Sequence, residues 1–294
     1  MNPVLGFIGL GTMGLPMSGH LARAGYRVLG FDPAPAALSA ATAQGLIACA
    51  DAAAVGRDAQ IVFTCLPSQQ VVRATVDALI ASLAPGGVIV DCSTISPLLA
   101  AELAADAGKR DIGFLDAPLS GAGSGAQAAT LSIMVGGEAA LFGRVRPLFE
   151  LMGRNVFHLG AVGAGQTAKL CQNLILVSTL SGVMESVALG RAVGIEPQRL
   201  LEVMDTCLAP TRVMDVLVKP KFDGRVPFDH TTDGLTMICK DITLVRELAE
   251  RVGLQLPVGS HIQSLYAQAV AEGHGRQDLL AWYELIEQGV FEAG

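Results

Sequence analysis

A chain of 294 residues with 51% hydrophobic content carries enough apolar material for one large core or two ordinary ones, which excludes an intrinsically disordered protein. Its formal net charge is −7 with no long basic run, so neither nucleic acid nor an anionic membrane is an expected partner. Six cysteines without a CxxC pair and five histidines without metal-ligand spacing predict a cytoplasmic protein with no structural disulfide and no metal site.

In chain order, the N-terminal MNPVLGFIGLGTMG lacks a basic region and reaches glycines at once, so it is not read as a signal peptide. Short apolar runs at 4–10, 26–31, 61–66, 87–92 and 113–118 alternate with helical stretches at 14–24, 35–43, 69–82 and 97–108. That alternation predicts a parallel sheet covered by helices. One more strand is expected at 131–137, a helix at 138–153, and a strand at 156–160 that closes the sheet. Uncharged stretches such as 117–137 are interrupted by Gly, Ser and Gln, so no membrane span is expected. After Gly165 the strand signal fades. The run 166–192 reads as the apolar spine of a helical domain, buried on most sides, and helices follow near 197–207, 232–252, 257–272 and 278–289. The glycine cluster at 160–166 sets the expected boundary between a domain at 1–163 and a second at 164–294.

The first strand runs into Gly9-Leu10-Gly11-Thr12-Met13-Gly14, a GxGxxG followed by a helix, and Asp32 ends the second strand. A strand before, a helix after and an acidic residue near the expected distance make this a dinucleotide-binding pattern. Gly9 permits the tight turn, Gly11 the approach of the pyrophosphate and Gly14 the packing of helix on strand, while Thr12 and Met13 complete the loop. Asp32 would bond the ribose hydroxyls and repel a 2′-phosphate, which favours NAD over NADP. Leu66-Pro67-Ser68 and Asp91-Cys92-Ser93-Thr94 fall at strand ends, where an open parallel sheet places its ligands. Leu66, Pro67 and Thr94 are therefore further cofactor candidates, although turns and helix caps use the same residue types.

Lys169 is the only charged side chain between Arg154 and Glu185, and Asn173 follows it at i+4 on the same helix face. An ammonium in such a run either snorkels to water or does chemistry. Taken together, GFIGLGTMGLPM (6–17), DAPLSGAGSGA (116–126), GAGQTAKLCQN (163–173), KDITL (240–244) and GRQDLLA (275–281) resemble the β-hydroxyacid dehydrogenases, the family of 3-hydroxyisobutyrate dehydrogenase and tartronate semialdehyde reductase. The resemblance spans nearly the whole chain. It implies an α/β Rossmann-type N-terminal domain with a mostly parallel sheet, then an all-α C-terminal domain beginning with a long interdomain helix.

The same resemblance makes Lys169 the catalytic acid/base, has Ser120 and Asn173 hold the substrate, and puts Lys240 near the nicotinamide end of the cofactor. Gly121, Ala122 and Gly123 would take the carboxylate of a small substrate, with Gln172 beside them in the pocket. Two departures stand out: Ala122 where the family usually has glycine, and Gln172 where it often has asparagine. The implied activity is NAD-dependent interconversion of a small 3-hydroxy acid and its semialdehyde or 3-keto acid, by a homodimer or homotetramer. The alternatives are an imine or larger-aldehyde reductase using NAD(P)H on the same scaffold, and a non-catalytic NAD-binding protein.

Overall fold

The computed structural model describes residues 2–225 and 234–291. His230 and residues 232–233 of the expected helix 232–252 lie outside the described residues. The chain divides into two compact units, Met1–Lys169 and Leu170–Gly294.

The first unit alternates β1 (Leu5–Ile8), α1 (Gly14–Arg23), β2 (Val28–Phe31), α2 (Pro35–Ala43), β3 (Ile47–Ala48), α3 (Ala52–Asp58), β4 (Ile61–Thr64), α4 (Gln69–Ser82), β5 (Val88–Asp91), α5 (Pro97–Gly108) and β6 (Gly113–Asp116). The six strands form one parallel sheet in the order β3-β2-β1-β4-β5-β6. Chain order reverses between β1 and β4, which makes the crevice beyond their carboxyl ends a ligand position. Residues 5–8, 61–64 and 88–91 are buried throughout, as a sheet covered on both faces requires. Strand alternation sends Phe7 and Phe63 into one core layer and Ile8 and Val62 into the other.

Side-chain caps start α3 at Asp51, α4 at Ser68 and α5 at Ser96, the last with proline in its first turn. The pair β3 and α3 goes beyond the sequence reading. An exposed two-residue strand and a seven-residue helix are too short to display a period.

Beyond β6 come β7 (Leu119–Ser120), α6 (Ala122–Gln127), β8 (Leu131–Val135), α7 (Ala139–Phe149) and β9 (Gly153–His158). The expectation that 156–160 closes the sheet is corrected here: these strands form a second, three-stranded sheet, β7-β8-β9. β7 pairs antiparallel and β9 parallel with β8. The departure occurs at Asp116, which bridges antiparallel to Gly136, just before Pro118, a residue with no N–H to offer a neighbouring strand.

Helix α8 (Ala164–Ala192) starts in the first unit and continues into the second. There follow α9 (Pro197–Asp205), a π-helical turn at Met214–Val218, α10 (Lys219–Phe222), α11 (Gly234–Arg251), α12 (Pro257–Ala271), two 3-10 turns at His274–Arg276 and Leu279–Ala281, and α13 (Trp282–Glu287). The core of this unit gathers Val177, Leu180, Met184, Ile242 and Tyr266, with Trp282 stacked on Tyr266 at 4.1 Å.

Helix α8 is not buried on most sides. Gln166, Leu170, Asn173, Val177, Leu180, Met184 and Val187 are buried and recur every three or four residues, forming one stripe. On other faces Ile175 is 67% and Leu189 69% exposed. A helix period offers one core only one face, so an apolar composition does not imply burial all round. Among the described residues α8 alone is long and apolar enough to cross a bilayer by length and composition, and 44% of that stretch is buried inside the protein.

Candidate active site

The glycine loop leaves β1 and enters α1. Gly9 sits at φ 89°, and a Cβ there would collide with the Cys65 carbonyl. At Gly14 a Cβ would collide with the Gly9 carbonyl and the Phe7 ring. Those two glycines are therefore demanded by the protein itself. Gly11 differs, because a Cβ there would meet no protein atom within 4 Å. The space above it is open, and α1, preceded by Met13 at its N-cap, has no side-chain cap and no acidic residue in its first turn, which leaves a partial positive charge facing that space.

At the end of β2, Asp32 Oδ2 accepts from the Leu10 amide at 2.8 Å and Oδ1 from the Ala34 amide at 2.9 Å. Its carboxylate is locked against the glycine loop. Open space at Gly11, an uncapped helix and a fixed acid fit a dinucleotide, for which residues 11–14 would hold the phosphates and Asp32 the ribose.

The loops after β4 and β5 are tied together through Asp91. This carboxylate is fully buried; its Oδ1 accepts from Thr64 Oγ1 at 2.8 Å, Ser93 Oγ at 2.6 Å and the Ser93 amide at 3.2 Å. Ser93 Oγ in turn accepts from the Leu66 amide at 2.9 Å, so the Leu66-Pro67 and Ser93-Thr94 segments are one bonded assembly. Burial pushes the Asp91 carboxyl from 3.8 up to about 6, against the pull of its hydrogen bonds, and Asp116 beside it acts in the same direction. Burial also pushes the Cys65 thiol up to about 12 and Cys92 well above its ordinary value. Thiolate chemistry at these positions is thereby disfavoured.

The serine-glycine segment is more ordered than a loop. Ser120 is half-buried on β7, opposite Ser132; Gly121, at φ 140°, turns the chain, and Ala122 opens α6 at φ 53°. A Cβ added at Gly123 would lie 2.8 Å from the Thr12 methyl. From α1, His20 Nε2 donates to the Ala126 carbonyl at 2.9 Å, while Arg23 donates to His20 Nδ1 at 2.9 Å, which selects the Nε2–H tautomer. The segment expected to take a carboxylate is thus docked on the dinucleotide loop.

At the start of α8, Asp116 Oδ1 accepts from the Gly163 amide at 2.7 Å and Oδ2 from the Gln166 amide at 2.8 Å. Burial holds the Asp116 carboxyl above its ordinary value despite these bonds. Lys169 is half-buried one turn further along, and Asn173 is buried on the same face of the helix. Gln172, beside it, is half-buried. In the second unit Asn173 Nδ2 donates to Asp241 Oδ2 at 2.7 Å, and Lys240 Nζ lies 2.7 Å from Asp241 Oδ1. Asp241 therefore orients one candidate group and pairs with another.

Of the positions expected from sequence, Gly9, Gly11, Thr12, Met13, Gly14, Asp32, Leu66, Pro67, Thr94, Ser120, Gly121, Ala122, Gly123 and Lys169 belong to the first unit, and Gln172, Asn173 and Lys240 to the second. The sequence reading noted Asp91 and Ser93 only as part of a strand-end loop, and assigned no role to them or to Asp116 and Gln166. A polar glutamine three residues before Lys169 was the available signal for the last.

Comparison with known proteins agrees with this geometry. The family model for the NAD binding domain of 6-phosphogluconate dehydrogenase matches residues 4–160. The model described as NAD-binding of NADP-dependent 3-hydroxyisobutyrate dehydrogenase matches residues 163–286. An NAD-dependent L-serine dehydrogenase of Pseudomonas aeruginosa is 37% identical over 96% of this chain and 97% of its own. The 3-hydroxyisobutyrate dehydrogenase of the same organism is 38% identical over 92% and 94%. A solved Mycobacterium tuberculosis 3-hydroxyisobutyrate dehydrogenase with L-serine superposes at a TM-score of 0.88, with 34% identity over 97% of this chain and 99% of its own. An imine reductase from Myxococcus stipitatus, at 21% identity and a TM-score of 0.66, shares the fold. Both halves of the chain and its full-length relatives lead to one assignment: the chain belongs to the β-hydroxyacid dehydrogenases, the NAD-dependent oxidoreductase family of 3-hydroxyisobutyrate dehydrogenase.

Proposed function

We propose that this dehydrogenase oxidises the hydroxyl of a small 3-hydroxy acid with Lys169 as general base, and runs the reverse reduction with Lys169 as general acid. One observation carries the reading: Lys169 and Asn173 share a face of α8, the helix whose first turn Asp116 fixes at the end of β6. NAD, held by residues 9–14 and Asp32, would supply the hydride-accepting chemistry. The chain's own groups handle the proton and the position of the substrate. Neutral Lys169 Nζ takes the hydroxyl proton on oxidation and returns it on reduction. Asn173 commits one amide N–H to Asp241 and keeps the other for the reacting oxygen. By the family resemblance Ser120 also holds the substrate, and residues 121–123 receive its carboxylate. Asp32 favours NAD by repelling a 2′-phosphate. The exposed apolar residues Ile175 and Leu189 support assembly as a homodimer or homotetramer, which light scattering would read.

The test is NADH formation with L-serine, 3-hydroxyisobutyrate, glycerate, 3-hydroxypropionate and threonate, repeated with NADP. Activity on at least one acid is expected, with loss of roughly two or more orders of magnitude in Lys169→Ala while NAD still binds in calorimetry. Near-normal turnover by Lys169→Ala would refute the role of the lysine.

A further inference from the structure

We propose that Gln166 is a positioning residue whose side-chain amide clamps the first turn of α8, and with it Lys169, to the backbone on either side of Thr94. The proposal rests on the reading of Lys169 as the base. Gln166 is wholly buried, and both ends of its carboxamide are used. Its Oε1 accepts from the Ile95 amide at 3.1 Å, and its Nε2 donates to the Ser93 carbonyl at 2.8 Å. These partners bracket Thr94, so the side chain acts as an extra peptide group in a two-bond ladder with residues 93–95. With an N–H on one side and a carbonyl on the other, one orientation of the amide satisfies both.

The clamp is anchored at both ends. Gln166's own N–H donates to Asp116 Oδ2, and a Cβ at Gly165 would collide with the Met134 carbonyl and Asp116, so the helix start lies hard against β6 and β8. On the other side, Ser93 carries the clamp through its hydroxyl to the Leu66 amide and to Asp91. Gln166 therefore connects the two segments read as cofactor candidates, at Leu66-Pro67 and Thr94, to a point one helical turn before Lys169. A base displaced by about 1 Å forfeits roughly two orders of magnitude in rate, and this ladder sets the distance.

Two substitutions separate positioning from simple stability. Gln166→Met keeps length and apolar bulk but loses both bonds; kcat is expected to fall roughly 30-fold or more, with the NAD dissociation constant, measured by calorimetry, within about threefold of the parent. In Gln166→Glu the ionised carboxylate opposes the Ser93 carbonyl, whereas the protonated acid restores one donor and one acceptor. Asp91 on β5, Asp116 on β6 and Lys169 on α8 are the titratable groups around it. Its kcat relative to the parent at each pH is therefore expected to rise as pH falls, while that of Gln166→Met stays flat.

Assays use NAD with L-serine or 3-hydroxyisobutyrate, whichever the parent turns over faster. Parent-like kcat in Gln166→Met, losses of kcat and NAD binding in equal proportion, or a pH-independent ratio in Gln166→Glu would each overturn the clamp. Lys169→Ala is assayed alongside. If it is inactive while Gln166→Met is normal, the clamp fails and the base stands; if it is itself active, the base reading fails.

Discussion

Replacing Asp91 by asparagine tests how the sheet bears a buried acid. In the folded chain this carboxyl titrates near 6 instead of 3.8, because burial outweighs the hydrogen bonds from Thr64 and Ser93. Between those values the folded state keeps a proton that the unfolded chain has released, so stability falls as pH rises through the window and levels off above it. The span corresponds to about 3 kcal/mol at about 1.4 kcal/mol per pH unit. Asparagine does not titrate, but it puts an N–H₂ where Asp91 Oδ2 has no hydrogen-bond partner, a constant penalty of about 1–3 kcal/mol. The variant is therefore expected to be the less stable protein near pH 4, and the gap should close by about 2.4 kcal/mol on moving to about pH 7. Asp116 also titrates above its ordinary value, and its repulsion of the Asp91 carboxylate is part of the difference being measured. Fluorescence of Trp282, the only tryptophan, reports the second unit. Hydrogen exchange of peptides covering β4 and β5, corrected for intrinsic rates, is the appropriate assay. A gap that stays constant within about 0.5 kcal/mol across this range would refute the reasoning.

Gly11→Ala should fold normally, within about 0.5 kcal/mol of the parent, since its Cβ meets no protein atom, yet lose NAD affinity at least about tenfold in calorimetry. Gly14→Ala, which collides with Gly9 and Phe7, should lower the thermal midpoint outright. Ala122, at φ 53°, carries left-handed strain of about 1–2 kcal/mol; glycine removes it but adds about 0.4–1 kcal/mol of unfolded-state entropy. Ala122→Gly should therefore leave urea stability within about 1 kcal/mol and shift kcat/KM toward bulkier acids in the substrate panel. With a thiol reagent at neutral pH, exposed Cys171 and Cys207 should react first and Cys65 and Cys92 last, as peptide mapping would show.

The amount legible in sequence followed the range of the forces involved. Strand runs and helix starts such as Ser96-Pro97 are local, and α2, α4 and α5 keep the bounds read from sequence. The dinucleotide loop was equally legible, because a turn, an open approach and a close packing contact demand glycines at 9, 11 and 14. Burial of α8 was misjudged because composition reports how apolar a helix is, while its period governs which face a core can cover. The last strands were misassigned because pairing after Asp116 depends on a bridge to Gly136, and strand runs alone do not specify which sheet they join.

By itself, the sequence determined a nucleotide-binding α/β half, a helical half, and a lysine and asparagine on one helix face, all consequences of periods of two and 3.6 and of residue-specific backbone freedom. Only the tertiary structure decided what holds those groups in register. Gln166 meets Ser93 and Ile95 across 73 and 71 residues, and Asp116 reaches Gly163 across 47. Hydrogen bonds between residues so far apart leave no periodic trace in the chain, because they form only after the sheet has brought its strand ends together.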